Sequence, residues 1–227
     1  FSSSNIKPAL FFTISKALDF PIEYFMCVDN FNVKTESTYF RSLMSTSKIA
    51  RTSQSVRLEF IAKLYETLIE YVDFPDRNFP NVTFNGRKGY SENEEAQETK
   101  EIDTIATQCR KFWGLGNEPI SNLQKLIESK GIIVTSLETK EREIDAFSQR
   151  TIIDNNSVYI IVINSSKNYV RTRFDLAHEL GHILLHPWSE NIEELSKQEF
   201  KDRESQANKF AGAFLLPQES FGNDVSH

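Results

Sequence analysis

Cysteine is scarce in this sequence: 227 residues contain two, Cys27 and Cys109. They stand far apart with no C-x-x-C, which indicates neither a disulfide framework nor a thiolate metal site and suits a reducing compartment. Both read as small apolar core residues. Long apolar runs are missing as well. The longest is Val158 to Ile163, far short of the roughly 18 residues that cross a bilayer, so no membrane partner is expected. Positive charge is not in excess either. The 26 Lys and Arg face 32 Asp and Glu, a net charge of -6, so no global basic field draws the chain to nucleic acid or anionic lipid. What is present is ordinary for a globular protein, 39% hydrophobic and 26% charged, with no repeat or low-complexity tract. Residue 1 is Phe rather than Met, so the chain is read as starting inside a longer product.

Apolar spacing carries the organisation. In residues 8–25, Leu10, Phe11, Ile14, Ala17 and Leu18 recur at helical intervals, with Pro8 suited to a first turn and Pro21 opening a second segment. A helical hairpin is expected there, too short to bury its own faces. Residues 37–72 read as mostly helical, with Val56, Phe60, Leu64, Leu68 and Tyr71 as the apolar stripe, flanked by Ile61, Tyr65 and Val72. Arg41, Lys48, Arg51, Arg57 and Lys63 face one acid, Glu59; they could touch phosphate, but a solvated helix face is the simpler reading. Pro75, Pro80, Gly86 and Gly89, with Asn78, Asn81 and Asn85, punctuate an irregular linker and mark an expected boundary. The regions expected are therefore 1–30, a helical connecting stretch and linker over 31–90, and a domain over 91–227.

Past the linker, Glu92, Glu94, Glu95, Glu98, Glu101 and Asp103 lead into a helix whose Ile102, Ile105, Ala106, Cys109 and Phe112 share a face. The acids read as a solvated helix start, favoured by the macrodipole. A helix over 121–129 stops at Gly131, and Ile132 to Val134 follows as a short strand. Val158 to Ile163 is a further strand, after the turn signal Asp154-Asn155-Asn156.

Three of the four histidines fall within nine residues, at 178, 182 and 186. His178-Glu179-x-x-His182 places two imidazoles at i and i+4, about 6 Å apart on one helix face, so both can bind one tetrahedral zinc. Glu179 is rotated by about 100 degrees, where a carboxylate reaches activated water without becoming a ligand, the position of a general base. Phe174, Ala177, Leu180, Leu184 and Leu185 give this helix an apolar side. Thr172-x-x-Asp175 reads as its capping box and Pro187 as its limit. The bland alternative is a buried structural helix with hydrogen-bonded histidines.

A catalytic zinc needs a third protein ligand. Ala207, Phe210, Ala211, Phe214 and Leu215 mark another helix, closed by Pro217, on which Glu204 sits with Asn208 one turn later. Glu204 would be the ligand and Asn208 would bond one of the histidines from behind. His186 competes for the third place, yet ligands at i, i+4 and i+8 on a continuing helix span about 12 Å, too far for one ion. It otherwise reads as an imidazole meeting the helix dipole or as a donor near substrate.

These motifs resemble the ImmA/IrrE family of metallopeptidases. The resemblance runs through Asp145-Ala146-Phe147-Ser148, Ile161-Val162-Ile163-Asn164, Arg171-x-Arg173-Phe174-x-Leu176-Ala177-His178-Glu179-Leu180-Gly181-His182 and His186, then Glu204-x-x-Ala207-Asn208-x-Phe210-Ala211 to Leu215-Leu216-Pro217. Asp175 departs from it, where the family often has a small hydroxyl residue. The resemblance implies an α+β, zincin-like domain with a small sheet, preceded here by an all-helical N-terminal region. It implies one zinc per chain on His178, His182 and Glu204, with Glu179 as base, and a cytoplasmic protein linked to mobile elements that clears a helix-turn-helix repressor by proteolysis. Residues Ile14 to Phe25 are similar to the last part of an Xre-type helix-turn-helix domain. DNA binding would then need the complete N-terminal domain.

The function expected is zinc endopeptidase. His186, Tyr169 and Tyr159 are unranked candidates for stabilising the oxyanion. The strand Val158 to Ile163 could be an edge that pairs with extended substrate or an ordinary core strand. Two other readings stay open: a non-hydrolytic DNA-binding regulator that uses the zinc domain as sensor, and one half of a toxin-antitoxin pair.

Overall fold

A run of β-branched residues makes the centre of the sheet. In the computed structural model, which describes residues 8–26, 33–40, 48–86, 91–137, 146–153, 155–188 and 195–218, β-strand Asn156–Asn164 is buried continuously from Val158 onward. Such an unbroken apolar strand must be covered on both faces. With elements numbered in chain order it is β4. It pairs in parallel with β2 (Ile132–Leu137) and antiparallel with β3 (Ala146–Ile153). A fourth strand, β1 (Val33–Phe40), pairs antiparallel with the other side of β3, with a register shift between Thr35 and Thr38. The order is β1-β3-β4-β2, so β4 is central: of the two readings of this strand, the core strand holds and the substrate-pairing edge is corrected.

Strand β1 also corrects the all-helical reading of the N-terminal region. The segment VKTESTYF carries threonines and aromatics that suit a pleated surface, and pairing with residues more than 100 positions away fixes it. Helix α3 begins only at Lys48 and ends at Leu68. Among its described side chains Gln54, Leu58 and Ala62 are buried, whereas Val56, Phe60, Leu64 and Leu68 of the expected stripe are exposed. Both faces carry apolar groups, and tertiary packing takes the one rotated by about 200 degrees from the more apolar stripe.

The chain divides into two compact units, Phe1–Asn32 and Val33–His227. In the first, α1 (Pro8–Leu18) and α2 (Ile22–Met26) form the expected helical pair. Asp19 turns the chain at a φ of 54°, and the rings of Phe20 and Tyr24 lie 4.9 Å apart. The division after Asn32 lies close to the end of the first expected region, and β1 and α3 fall in one compact unit with the rest of the chain, on both sides of residues 75–90. Residues 73–86 are irregular as expected, but they are tied to the core. Asn78 donates its N–H to the Lys130 carbonyl at 3.1 Å and accepts from the Trp113 indole at 2.8 Å. Gly131, at a φ of 80°, has no room for a side chain: a Cβ there would lie 2.7 Å from the backbone of Asp76 and Arg77.

Helix α4 (Glu92–Phe112) opens with a capping box between Ser91 and Glu94, and its acids fill the first turn as expected. It buries Ile102, Ile105, Ala106 and Cys109, but Phe112, assigned to the same face, is exposed. Burial pushes the Cys109 thiol up to about 12. Buried Arg110 donates to the Phe214 carbonyl at 2.7 Å, which ties α4 to the end of a helix a hundred residues away. That helix is α7 (Lys197–Leu215); α5 (Leu123–Glu128) and α6 (Tyr169–Leu185) complete the unit. Helix α6 packs between the sheet strands β3 and β4 and α7, and α4 packs on α7. Cys27 lies outside the described residues. Among those described, no helix is long and apolar enough to cross a membrane.

Candidate metal centre

Helix α6 starts earlier than the sequence indicates. Its N-cap is Asn168, whose side chain accepts from the Arg171 N–H at 2.9 Å. The expected Thr172–Asp175 box is therefore corrected: Asp175 is buried within the helix, with Arg171 Nε 3.3 Å from its carboxylate. The helix ends at Leu185. His186 precedes Pro187, and the proline ring forces it out of helical geometry to φ -109° and ψ 143°.

On the face turned to α7, His178 and His182 stand one turn apart with their Nε2 atoms 3.0 Å from each other. Glu204 on α7 brings one carboxylate oxygen to 3.4 Å from His178 Nε2 and the other to 3.3 Å from His182 Nε2. The ligand atoms of these three residues all lie within 4.8 Å of one another. Gly181 allows this approach. A Cβ on it would meet the Ala207 Cα at 3.2 Å and the Phe210 ring at 3.2 Å, so the two helix backbones approach more closely than a larger residue accommodates without a shift of its neighbours.

The hydrogen bonds behind the rings decide what the front can hold. His178 Nδ1 lies 3.0 Å from Asn208 Oδ1, an acceptor, so Nδ1 carries a proton, and in the neutral ring Nε2 is the lone pair. His182 Nδ1 is likewise engaged, 2.9 Å from His186 Nδ1. Burial lowers His182 to about 4, which keeps it neutral near pH 7. Burial alone would raise Glu204, but its contacts with His178 and His182 hold it at about 2. Two imidazole Nε2 atoms and a carboxylate thus converge on one point in a buried setting. Such a set of lone pairs fits a divalent cation of the zinc type.

Glu179 points the other way, toward the sheet. Its Oε2 accepts from the Ser148 hydroxyl of β3 at 2.6 Å. Its Oε1 is buried and has no hydrogen-bond partner among the described residues. Burial raises this carboxyl to about 7, against the pull of His178 and the Ser148 hydrogen bond.

The remaining sequence candidates divide. Asn208 Oδ1 lies against His178 Nδ1, one of the two histidines named for it. His186 is buried behind His182 and bonds Gln206 Oε1 at 3.0 Å through Nε2, so it is neither a third ligand nor an exposed donor to substrate. Burial keeps it well below its ordinary pKa. Tyr169 lies at the far end of α6, about 13 Å before His178 along the axis, exposed, with its hydroxyl on the Ser121 carbonyl. Tyr159 packs its ring between Phe79 and Trp188, at 5.5 and 5.4 Å. Sequence reading missed Ser148, Gln206 and Glu98 as members of the site. Glu98 was counted among solvated acids, yet it is buried and accepts from Gln206 Nε2 at 2.8 Å.

Residues 127–225 match the peptidase M78 family model, described as the IrrE N-terminal-like domain. No curated protein matches the chain. The matched stretch spans β2 to α7 and contains all three ligand candidates, Glu179 and Ser148; β1, α3 and α4 lie outside it.

Proposed function

We propose, from a family match that points to a metallopeptidase, that this chain is a zinc-dependent endopeptidase in which His178, His182 and Glu204 hold one zinc ion and Glu179 is the general base. The carrying observation is the pairing of that three-residue cluster with an unpartnered, buried carboxylate oxygen on the residue next to its first histidine. When bound, zinc would supply Lewis acidity, lowering the pKa of water to about 7 and polarising the scissile carbonyl.

The protein's own groups do the rest. Ser148 fixes one oxygen of Glu179 and leaves Oε1 to take a proton from the attacking water. A carboxyl raised to about 7 is suited both to accept that proton and to return it to the leaving amine nitrogen. Asn208 and His186 hold the two imidazoles so that Nε2 of each faces forward.

The substrate proposed is a helix-turn-helix repressor or a similar regulatory protein in the cytoplasm, in a mobile-element or stress context. The resemblance of residues 14–25 to the end of an Xre-type domain supports this reading. The test uses the purified chain and a repressor encoded beside its gene. One zinc per chain and a discrete cut mapped by mass spectrometry are expected, and Glu179→Gln should keep the zinc while losing at least about 100-fold in cleavage rate. Absence of zinc, or an unimpaired Glu179→Gln variant, would overturn the proposal.

A further inference from the structure

We propose that Glu98, on α4 and outside the family match, is a positioning residue: it terminates a one-way hydrogen-bond chain through Gln206 and His186 that fixes His182 as a metal ligand through Nε2. The inference rests on the metal site proposed above.

Each link has only one consistent direction. If His182 offers Nε2 forward, its proton is on Nδ1, which must donate to His186 Nδ1 at 2.9 Å. His186 Nδ1 is then an acceptor, so its proton is on Nε2, which donates to Gln206 Oε1 at 3.0 Å. With its oxygen used, Gln206 turns its amide N–H to Glu98 Oε2 at 2.8 Å. A carboxylate is acceptor only, so it closes the chain and forbids the reverse orientation of Gln206. The other oxygen of Glu98 lies 3.4 Å from Lys209 Nζ, which offsets the buried negative charge. Glu98, His186 and Gln206 are all buried, at 3, 6 and 7% exposure, so water does not supply an easy substitute.

The two ligands are thus supported differently. His178 ends on one neutral amide, Asn208, from the helix that also carries Glu204. His182 is oriented from α4, 84 residues earlier in the chain, through two intermediaries. Docking of α4 onto α7 therefore becomes a condition for metal affinity as well as for stability.

A charge swap separates this role from simple packing. Gln206→Glu alone sets two carboxylates against each other. Combined with Glu98→Gln it restores every link: the new acid accepts from His186 Nε2 and from the new amide, whose oxygen faces Lys209. Zinc affinity is measured by chelator competition on the full chain, with the visible spectrum of the cobalt-substituted protein reporting ligand geometry. Glu98→Ala and Gln206→Glu should weaken zinc binding by about tenfold or more, and the double variant should return to within about threefold of wild type. Wild-type affinity in a folded Glu98→Ala, or a double variant no tighter than Gln206→Glu, would overturn the inference. Should Glu98→Ala fail to fold, the comparison of swap with single variant decides. A wild-type chain that binds no zinc would instead remove the metal site itself, and this inference with it.

Discussion

Glu179 shows how one side chain's setting assigns it chemistry. Its two oxygens have different fates, one held by Ser148 and one buried without a partner among the described residues, and the ionised form is costly to keep. The carboxyl moves from an ordinary value of 4.5 to about 7. A folded-state pKa raised this way gives a contribution that is fully present below pH 4.5 and is lost as the pH rises through 7. In metal-free protein, wild type should therefore carry a penalty of about 3 kcal/mol above that pH relative to a chain without the ionisable group. Glu179→Gln keeps an oxygen for Ser148 and removes the charge. Metal-free Glu179→Gln should melt several degrees higher than metal-free wild type at pH 8, with the gap closing at pH 4. Equal melting at both pH values would mean that the buried carboxylate is not strained.

The helices meet where the sequence places its smallest residue. Gly181 sits between His178 and His182 on α6, against Ala207 of α7, and its missing Cβ is what lets Glu204 reach both imidazoles. A methyl group at 181 would gain helix propensity, about 1 kcal/mol, but it meets the Ala207 backbone and a fully buried Phe210 ring at about 3.2 Å, so both must give by a few tenths of an ångström in a close-packed interior. Separation of the helices should win. Gly181→Ala is expected to lower stability by about 1 to 3 kcal/mol in thermal or urea unfolding and to weaken zinc binding along with it. Unchanged zinc affinity in that variant would show that the ligand set does not depend on the close approach.

At the scale of the whole molecule, the domain is larger than its chemical motifs. Strand β1 covers one edge of β3, residues 73–86 are bonded to the β2 side of the fold, and α4 supplies both Arg110 to the end of α7 and Glu98 to the metal site. A chain of 33–227 should therefore unfold cooperatively, while 91–227 should aggregate or melt well below it, having lost β1 from the edge of β3 and the buried Leu58 and Ala62 of α3. Equal melting temperatures for the two would contradict this reading. The sequence by itself determined the histidine pair, the helix that carries it, the start of α4 and the existence of β2 and β4. These follow from periodicity within a few residues, which local backbone geometry converts directly into one face of a helix or strand. Glu204 and Asn208 were also legible, because their helix has a clear apolar face. Only the tertiary structure decided which face of α3 is buried, that residues 33–40 form a strand, that β4 is central, and that Glu98 and Ser148 reach the site. Each of those depends on contact between segments distant along the chain, and there a short-range pattern is equally compatible with the face that packs and the face that meets water.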